Sequence, residues 1–149
     1  MSLTNEQQDI VSLPFDAKVL VTAGPGTGKT FTLIARLAHL IRNNDLAPGQ
    51  EMLVLSFSRA AVREIRNRCA KVGGDLAYVN VITFDSYATR LLSLIEPDGE
   101  WTSQGYDGRI EAAVKAIQSG SAEDYLCDIK QVFVDEIQDL VGIRAELVK

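Results

Sequence analysis

The chain has 149 residues, of which 46% are apolar and 23% charged, with a net charge of −5 at pH 7. This length and composition fit one ordinary globular domain, and the negative charge argues against a protein that binds nucleic acid over its whole surface. No apolar run approaches the ~18 residues of a membrane span, and the first residues lack the pattern of a signal peptide. We therefore expect a cytoplasmic protein with no membrane partner.

The first predicted elements are a helix, a strand and a second helix. Thr4 to Val11 has the polar start of a capped helix. Lys18 to Thr22 is a short apolar run that predicts a strand. A glycine-rich segment, residues 23–30, follows it and opens an amphipathic helix that continues to about Arg42.

The glycine-rich segment predicts a phosphate-binding loop, because a strand, such a loop, Gly-Lys-Thr and a helix are the parts of that motif. Its amides and the helix start attract phosphate oxygens, while Lys29 reaches the β- and γ-phosphates. The hydroxyl of Thr30 is a ligand for Mg²⁺. Only the first glycine of the pattern is replaced, by an alanine. The residues expected at a nucleoside triphosphate are Ala23, Gly24, Pro25, Gly26, Thr27, Gly28, Lys29 and Thr30.

The rest of the chain alternates between strands and helices. Further strands are predicted at Met52 to Phe57, Tyr78 to Ile82 and Gln131 to Val134, with helices at Ser58 to Lys71, Thr83 to Ile95 and Arg109 to Gln118. This alternation predicts an α/β fold with a parallel sheet and right-handed crossovers. The two cysteines, Cys69 and Cys127, show no metal-binding spacing, and we expect both to be buried thiols.

Two adjacent acids follow the last predicted strand. Asp135 and Glu136 are expected at the carboxyl edge of the sheet, where the phosphate loop also lies. Asp135 is placed to hold Mg²⁺ through its water shell opposite Thr30. Glu136 is placed to polarise a water for attack on the γ-phosphate, which favours hydrolysis over phosphate transfer.

Five motifs, in order, resemble those of superfamily 1 DNA helicases of the UvrD/Rep/PcrA type. They are residues 3–7 (the Q motif), 23–30 (the phosphate loop), 53–65 (motif Ia), 82–92 (the next DNA-contacting motif) and 135–139 (the D-E-x-Q-D box). The resemblance implies that residues 1–149 form one amino-terminal, RecA-like P-loop NTPase domain, with helices on both faces of the sheet. Residues 92–130 would be a reduced insertion within it.

The resemblance also implies a function for this domain. It would bind Mg·ATP and hydrolyse it to drive translocation on single-stranded DNA, and unwinding of partly duplex DNA, when a second motor domain is present in cis. Gln7 would grip the adenine edge, and Phe31 would stack on adenine where the family usually has arginine. Lys29, Glu136 and Gln138 would be catalytic. Without the arginines of the second domain, turnover would be slow or absent.

Motif Ia and the following motif imply a track for single-stranded DNA. The residues expected to contact it are Phe57, Ser58, Arg59, Arg63, Arg66, Thr83 and Phe84, with Phe57 or Phe84 as a stacking platform and the arginines on the backbone. Asp85 stands where the family typically has histidine, and an acid facing a phosphodiester would repel it.

In the resembling fold, the strand after the Asp-Glu strand inserts between it and the phosphate-loop strand. This chain ends ten residues after Asp139, so we expect a sheet with an unpaired gap. Such a chain would rearrange, dimerise through the gap or be part of a longer protein. Two other functions stay open: a stand-alone module that binds ATP or DNA without unwinding, and, less favoured, a small P-loop kinase.

Overall fold

The structure is a computed structural model that describes residues 2–149, so Met1 of the predicted domain lies outside the described residues. It is an α/β fold, as predicted from the alternation of elements. The elements, in order, are α1 (Asn5–Val11), α2 (Lys29–Asn44), α3 (Pro48–Glu51), β1 (Met52–Ser56), α4 (Arg59–Val72), β2 (Asn80–Thr83), α5 (Phe84–Ile95), α6 (Tyr106–Gln118), α7 (Glu123–Leu126), β3 (Gln131–Val134) and α8 (Ile143–Glu146).

The sheet has three parallel strands in the order β2-β1-β3. β1 lies at its centre and is buried along its whole length, as expected of a strand covered on both faces. Leu55 of β1 is in register with Ile82 of β2 and with Val134 of β3. The carboxyl ends of all three strands therefore meet at one edge of the sheet.

Two apolar clusters cover the two faces of the sheet. Met52 and Val54 face the first cluster, to which α2 and α4 contribute. Leu53 and Leu55 face the second, which is built on α5 and α6. The alternation of side chains along one buried strand thus produces three layers.

The predicted strand at Lys18 to Thr22 is wrong, because residues 17–24 have no regular secondary structure. A cavity of about 360 Å³ separates this segment from β3. Val19 on one side of the cavity is 44% exposed, and Val132 on the other is 50% exposed. A β-strand requires backbone pairing with a neighbouring strand, and the sheet position between residues 17–24 and β3 is unfilled. The gap expected from the sequence is therefore present.

Side chains of α1 and α2 hold the amino-terminal segment in place. Thr4 caps α1, where the sequence predicts a helix cap, and forms a capping box with Gln7. The buried guanidinium of Arg36 in α2 donates to the backbone oxygens of Val11 and Pro14 at 2.8 and 2.7 Å, and also to that of Leu13. This one side chain fixes the turn after α1 against α2.

One of the two cysteine predictions is wrong. Cys69 is buried in α4, whereas Cys127 is exposed after α7, where its thiol contacts the backbone oxygen of Asp124. The apolar neighbours of Cys127 in the sequence belong to a four-residue helix that buries no side chain. None of the helices within residues 2–149 combines the length and hydropathy needed to cross a membrane.

We predict that Arg36→Met lowers the free energy of unfolding by about 3 kcal/mol, because three backbone oxygens lose a charged donor. Urea unfolding measures this loss. Arg42→Met, on the exposed end of the same helix, is the control and should change stability by less than about 0.5 kcal/mol. Equal effects of the two substitutions would contradict the role given to Arg36.

Candidate functional site

The start of α2 is built to receive an anion. Gly26 and Gly28 have φ angles of 75° and 87°, which let the loop bend back toward the helix. Gly28 is the N-cap of α2, no side chain caps the helix, and its first turn contains no acid. By contrast, α1, α4 and α5 are capped by Thr4, Ser58 and Thr83. The free amides and the dipole of α2 therefore favour a negatively charged ligand.

Polar contacts close the loop from both sides. The ammonium of Lys29 donates to the backbone oxygen of Ala23 at 3.0 Å, and the hydroxyl of Thr27 donates to that of Gly24 at 2.7 Å. Gln7 donates from its side-chain amide to the backbone oxygen of Thr27 at 3.2 Å. The predicted Q-motif glutamine therefore contacts the phosphate loop itself.

The carboxylate pair, Asp135 and Glu136, directly follows β3. The backbone N–H of Asp135 donates to the backbone oxygen of Leu55 at 2.9 Å, which extends the pairing of β3 with β1. Glu136 then takes a left-handed conformation, with φ 57° and ψ 51°. Non-glycine residues held in this conformation concentrate at functional sites. The side-chain amide of Gln138 contacts the Glu136 carboxylate.

Lys29 and the carboxylate pair border the same cavity of about 360 Å³, the open gap beside β3, whereas residues 22–28 and Thr30 do not line it. Its lining includes Lys29 from the start of α2, together with Asp135, Glu136 and Gln138 from the segment after β3. The predicted catalytic residues and the predicted magnesium carboxylate thus face one space. Phe31, predicted to stack on adenine, is half-buried in α2 and is not part of this lining.

Burial raises the pKa of Asp135, and the neighbouring charge of Glu136 raises this pKa further. Lys29 acts in the opposite direction. The site therefore concentrates negative charge in a partly dehydrated place, which a cation would relieve.

The donors present fit a hydrated magnesium ion. Within residues 2–149 there is no group of three or more His, Cys, Asp or Glu side chains that would enclose a metal. Magnesium usually keeps several waters and takes one or two protein oxygens, so Thr30 and Asp135 are a sufficient set. The hydroxyl of Ser56 is buried and has no hydrogen-bond partner among the described residues. Ser56 follows Leu55 as Asp135 follows Val134, so the two residues extend neighbouring strands at the same edge of the sheet.

A second, basic groove lies between α4 and the start of α5. Its cavity of about 320 Å³ is lined by Arg59, Val62, Arg63, Arg66, Asn67, Ile82, Thr83 and Ser86. The structure thus brings the three predicted DNA-contacting arginines together with Thr83. Two of the expected contributors are already engaged: the guanidinium of Arg66 donates to the backbone oxygen of Val81, and the Thr83 hydroxyl caps α5.

The expectation that Phe84 is a stacking platform is wrong for this structure. Phe84 is 0% exposed and belongs to the second apolar cluster. Its ring lies 4.8 Å from that of Phe57, centroid to centroid, and Phe57 is half-buried. The first residue of α5 points into the core because it begins the buried stripe of that helix. Ser58, also predicted at DNA, caps α4 by accepting from the Ala61 N–H.

Sequence reasoning missed the partner of Asp85. Arg144 of α8 donates to the Asp85 carboxylate at 2.9 Å and to that of Asp107 at 3.1 Å. The repulsion expected from Asp85 is therefore offset within the chain. A sequence separation of 59 between Asp85 and Arg144 hides the pair, and the only signal in the sequence is an arginine after the Asp-Glu box.

Comparison with known proteins gives one family and two kinds of relative. The model described as UvrD/REP helicase N-terminal domain matches residues 3–107. The ATP-dependent DNA helicase UvrD2 of Mycobacterium tuberculosis is 35% identical over 150 residues, which cover 94% of this chain and 20% of the relative. The ATP-dependent DNA helicase PcrA of Staphylococcus aureus is 35% identical over 91 residues, 60% of this chain and 12% of the relative. The chain thus spans about a fifth or less of the length of these relatives.

We predict that Glu136→Gln lowers the pKa of Asp135, because it removes one of the charges that raise it. A raised carboxyl pKa means that native stability falls as pH rises through that pKa, so the variant should also be more stable than the parent near pH 7. Titration of the Asp135 carboxyl carbon by NMR, with urea unfolding at pH 7, measures both effects. Asp139→Asn, which removes an exposed charge three residues further along, is the control and should leave the Asp135 pKa unchanged.

Proposed function

Because the chain belongs to the family of UvrD/REP helicase N-terminal domains, we propose that it binds Mg·ATP as part of a RecA-like helicase motor. One observation carries this proposal. Lys29, at the uncapped start of α2 that follows Gly28, lines one cavity together with the Asp135–Glu136 pair. A triphosphate needs amide donors, a cation and a magnesium carboxylate, and this arrangement offers all three.

The phosphates would bind in the bend formed by residues 23–30. Lys29 donates to the Ala23 backbone oxygen in the protein alone, and it would transfer that donation to phosphate oxygens. Gln7 already contacts Thr27 of the loop, which supports its proposed place near the nucleotide. Adenine recognition by Gln7 and Phe31 is part of the proposal.

Magnesium would be held by the hydroxyl of Thr30 and the carboxylate of Asp135, with Ser56 at the same edge of the sheet. When bound, the ion neutralises charge on the phosphates and on the carboxylate pair. The raised pKa of Asp135 is the electrostatic reason for expecting a cation there.

Glu136 would orient a water molecule for hydrolysis. Its left-handed backbone and its contact with Gln138 fix the carboxylate, which is the preorganisation that such a role requires. The two residues would act together with Lys29 as the catalytic group. A small P-loop kinase would take its nucleophile from a substrate and would not need this glutamate.

The basic groove on α4 would contact single-stranded DNA. Arg59 and Arg63 are exposed and line it. Arg66 also lines it, but its guanidinium donates to the backbone oxygen of Val81, so it would mainly shape the groove. Phe57 is the remaining candidate for base stacking. Translocation and unwinding would belong to the longer assembly in which residues 1–149 form one motor domain, residues 92–130 are a reduced insertion and a second motor domain is present.

We predict that Lys29→Ala weakens the binding of Mg·ATP about 10- to 150-fold, the equivalent of about 1.5–3 kcal/mol for a charged hydrogen bond. Isothermal titration calorimetry in the presence of Mg²⁺ measures the affinity. Lys71→Ala, in the last turn of α4, is the matched control and should bind as the parent does. Unchanged affinity of Lys29→Ala, or no binding of Mg·ATP by the parent chain, would overturn the proposal.

We predict that replacing Arg59 and Arg63 together by alanine weakens the binding of an oligo(dT) strand. Each lost phosphate contact should reduce the slope of log affinity against log salt by about 0.7, so the pair should reduce it by up to about 1.4. Fluorescence anisotropy over a salt series measures both quantities. Arg68→Ala is the control, because Arg68 forms an ion pair with Glu64 at 2.6 Å and does not line the groove. If the double variant and the parent share one slope, the groove is not the DNA contact.

A further inference from the structure

Arg144 connects two parts of the chain that the proposed function uses separately. It lies on α8, which follows the Asp135–Glu136 pair, and it donates to Asp85 in the first turn of α5. Both partners in this ion pair are partly buried, with side-chain exposures of 25% and 28%. The second partner of Arg144, Asp107 at the start of α6, is 83% exposed.

The segment between the carboxylate pair and α8 is anchored at its two ends and, between them, at Leu140. At one end, the Asp135 N–H bonds to Leu55 of β1. At the other, Leu147 is buried and Ile143 packs on the second apolar cluster. Between these ends, Leu140 packs on the second apolar cluster, whereas Ile137 and Val141 are exposed, so a few anchoring side chains set the path of this segment.

The far end of the ion pair borders the basic groove. Asp85 lies between Thr83 and Ser86, both of which line that groove. The Thr83 hydroxyl donates to the Ser86 hydroxyl at 2.8 Å and accepts from the Ser86 N–H at 3.2 Å. A shift of Asp85 would therefore move both groove-lining hydroxyls together.

We propose that Arg144 is a positioning residue that ties the segment after Asp135–Glu136 to the first turn of α5, so that nucleotide binding changes the basic groove. The proposal rests on the proposed function for its ligands, and it adds a route between the two sites. A paired Arg144 also keeps the charge of Asp85 away from a phosphodiester in the groove. Loss of Arg144 would then both uncouple the sites and leave an uncompensated acid beside the groove.

The test compares backbone amide shifts by NMR in the parent chain, Arg144→Gln and Asp107→Asn. Without ligand, Arg144→Gln should shift the amides of residues 137–142 and also those of residues 83–86, whereas Asp107→Asn should leave both sets in place. With Mg·ADP, the parent should show shifts at residues 26–30 and at residues 83–86. Arg144→Gln should keep the first set of shifts and lose the second.

Charge reversal separates coupling from simple damage to the fold. The double variant Asp85→Arg with Arg144→Asp restores an ion pair of opposite polarity, and it should recover the Mg·ADP shifts at residues 83–86. Asp85→Asn, which breaks the pair from the other side, should behave as Arg144→Gln does and replaces it if that variant fails to fold.

The outcomes distinguish the two proposals. No shift of residues 26–30 on addition of Mg·ADP would overturn the proposed function, and the comparison without ligand would still judge the role of Arg144. Ligand-free shifts confined to residues 137–142 in Arg144→Gln would overturn that role. So would Mg·ADP shifts at residues 83–86 that persist in Arg144→Gln, or that the charge reversal fails to recover.

Discussion

The site depends on the parallel pairing of β3 with β1. The register that sets Leu55 against Val134, extended by the bond from the Asp135 N–H to Leu55, carries Asp135 and Glu136 to the edge at which α2 begins. A slip of one residue would turn the alternating side chains of β3 to the opposite faces of the sheet. The buried centre strand therefore decides which chemistry the carboxylate pair can perform.

Within residues 2–149 no strand pairs with the other side of β3, and this changes how the loop before α2 is held. In a complete sheet the segment before the loop would be fixed by backbone pairing. Here Arg36 fixes the turn after α1, and Gln7 contacts Thr27 of the loop. A further link is the Gln131 side chain, which donates to the backbone oxygen of Phe15 at 2.9 Å. Side-chain contacts thus fix a segment that backbone pairing would fix in a complete sheet. The open cavity leaves the backbone groups that line it accessible to water.

The sequence predicted what depends on local pattern and missed what depends on distant partners. The apolar runs of β1 and β3, the glycine-rich loop and the cap of α1 are local, and the structure confirms them as elements. Lys18 to Thr22 has the same apolar pattern as a strand, but a strand also needs a neighbour. The burial of Phe84 follows from the way α5 packs on the sheet, and the Asp85–Arg144 pair joins residues on different helices. The residues at each end of the proposed nucleotide site were predictable from the sequence. The Asp85–Arg144 ion pair, which lies between that site and the basic groove, was not.

In the proposed site, one hydrated divalent ion would lie between the loop before α2 and the acids after β3. Manganese can replace magnesium at oxygen ligands, and it broadens the NMR signals of nearby nuclei. With Mn²⁺·ADP, we predict that the amide signals of residues 28–30 and of residues 135–136 broaden together, at the same concentration of metal. Broadening of only one of these two segments would contradict this placement of the ion.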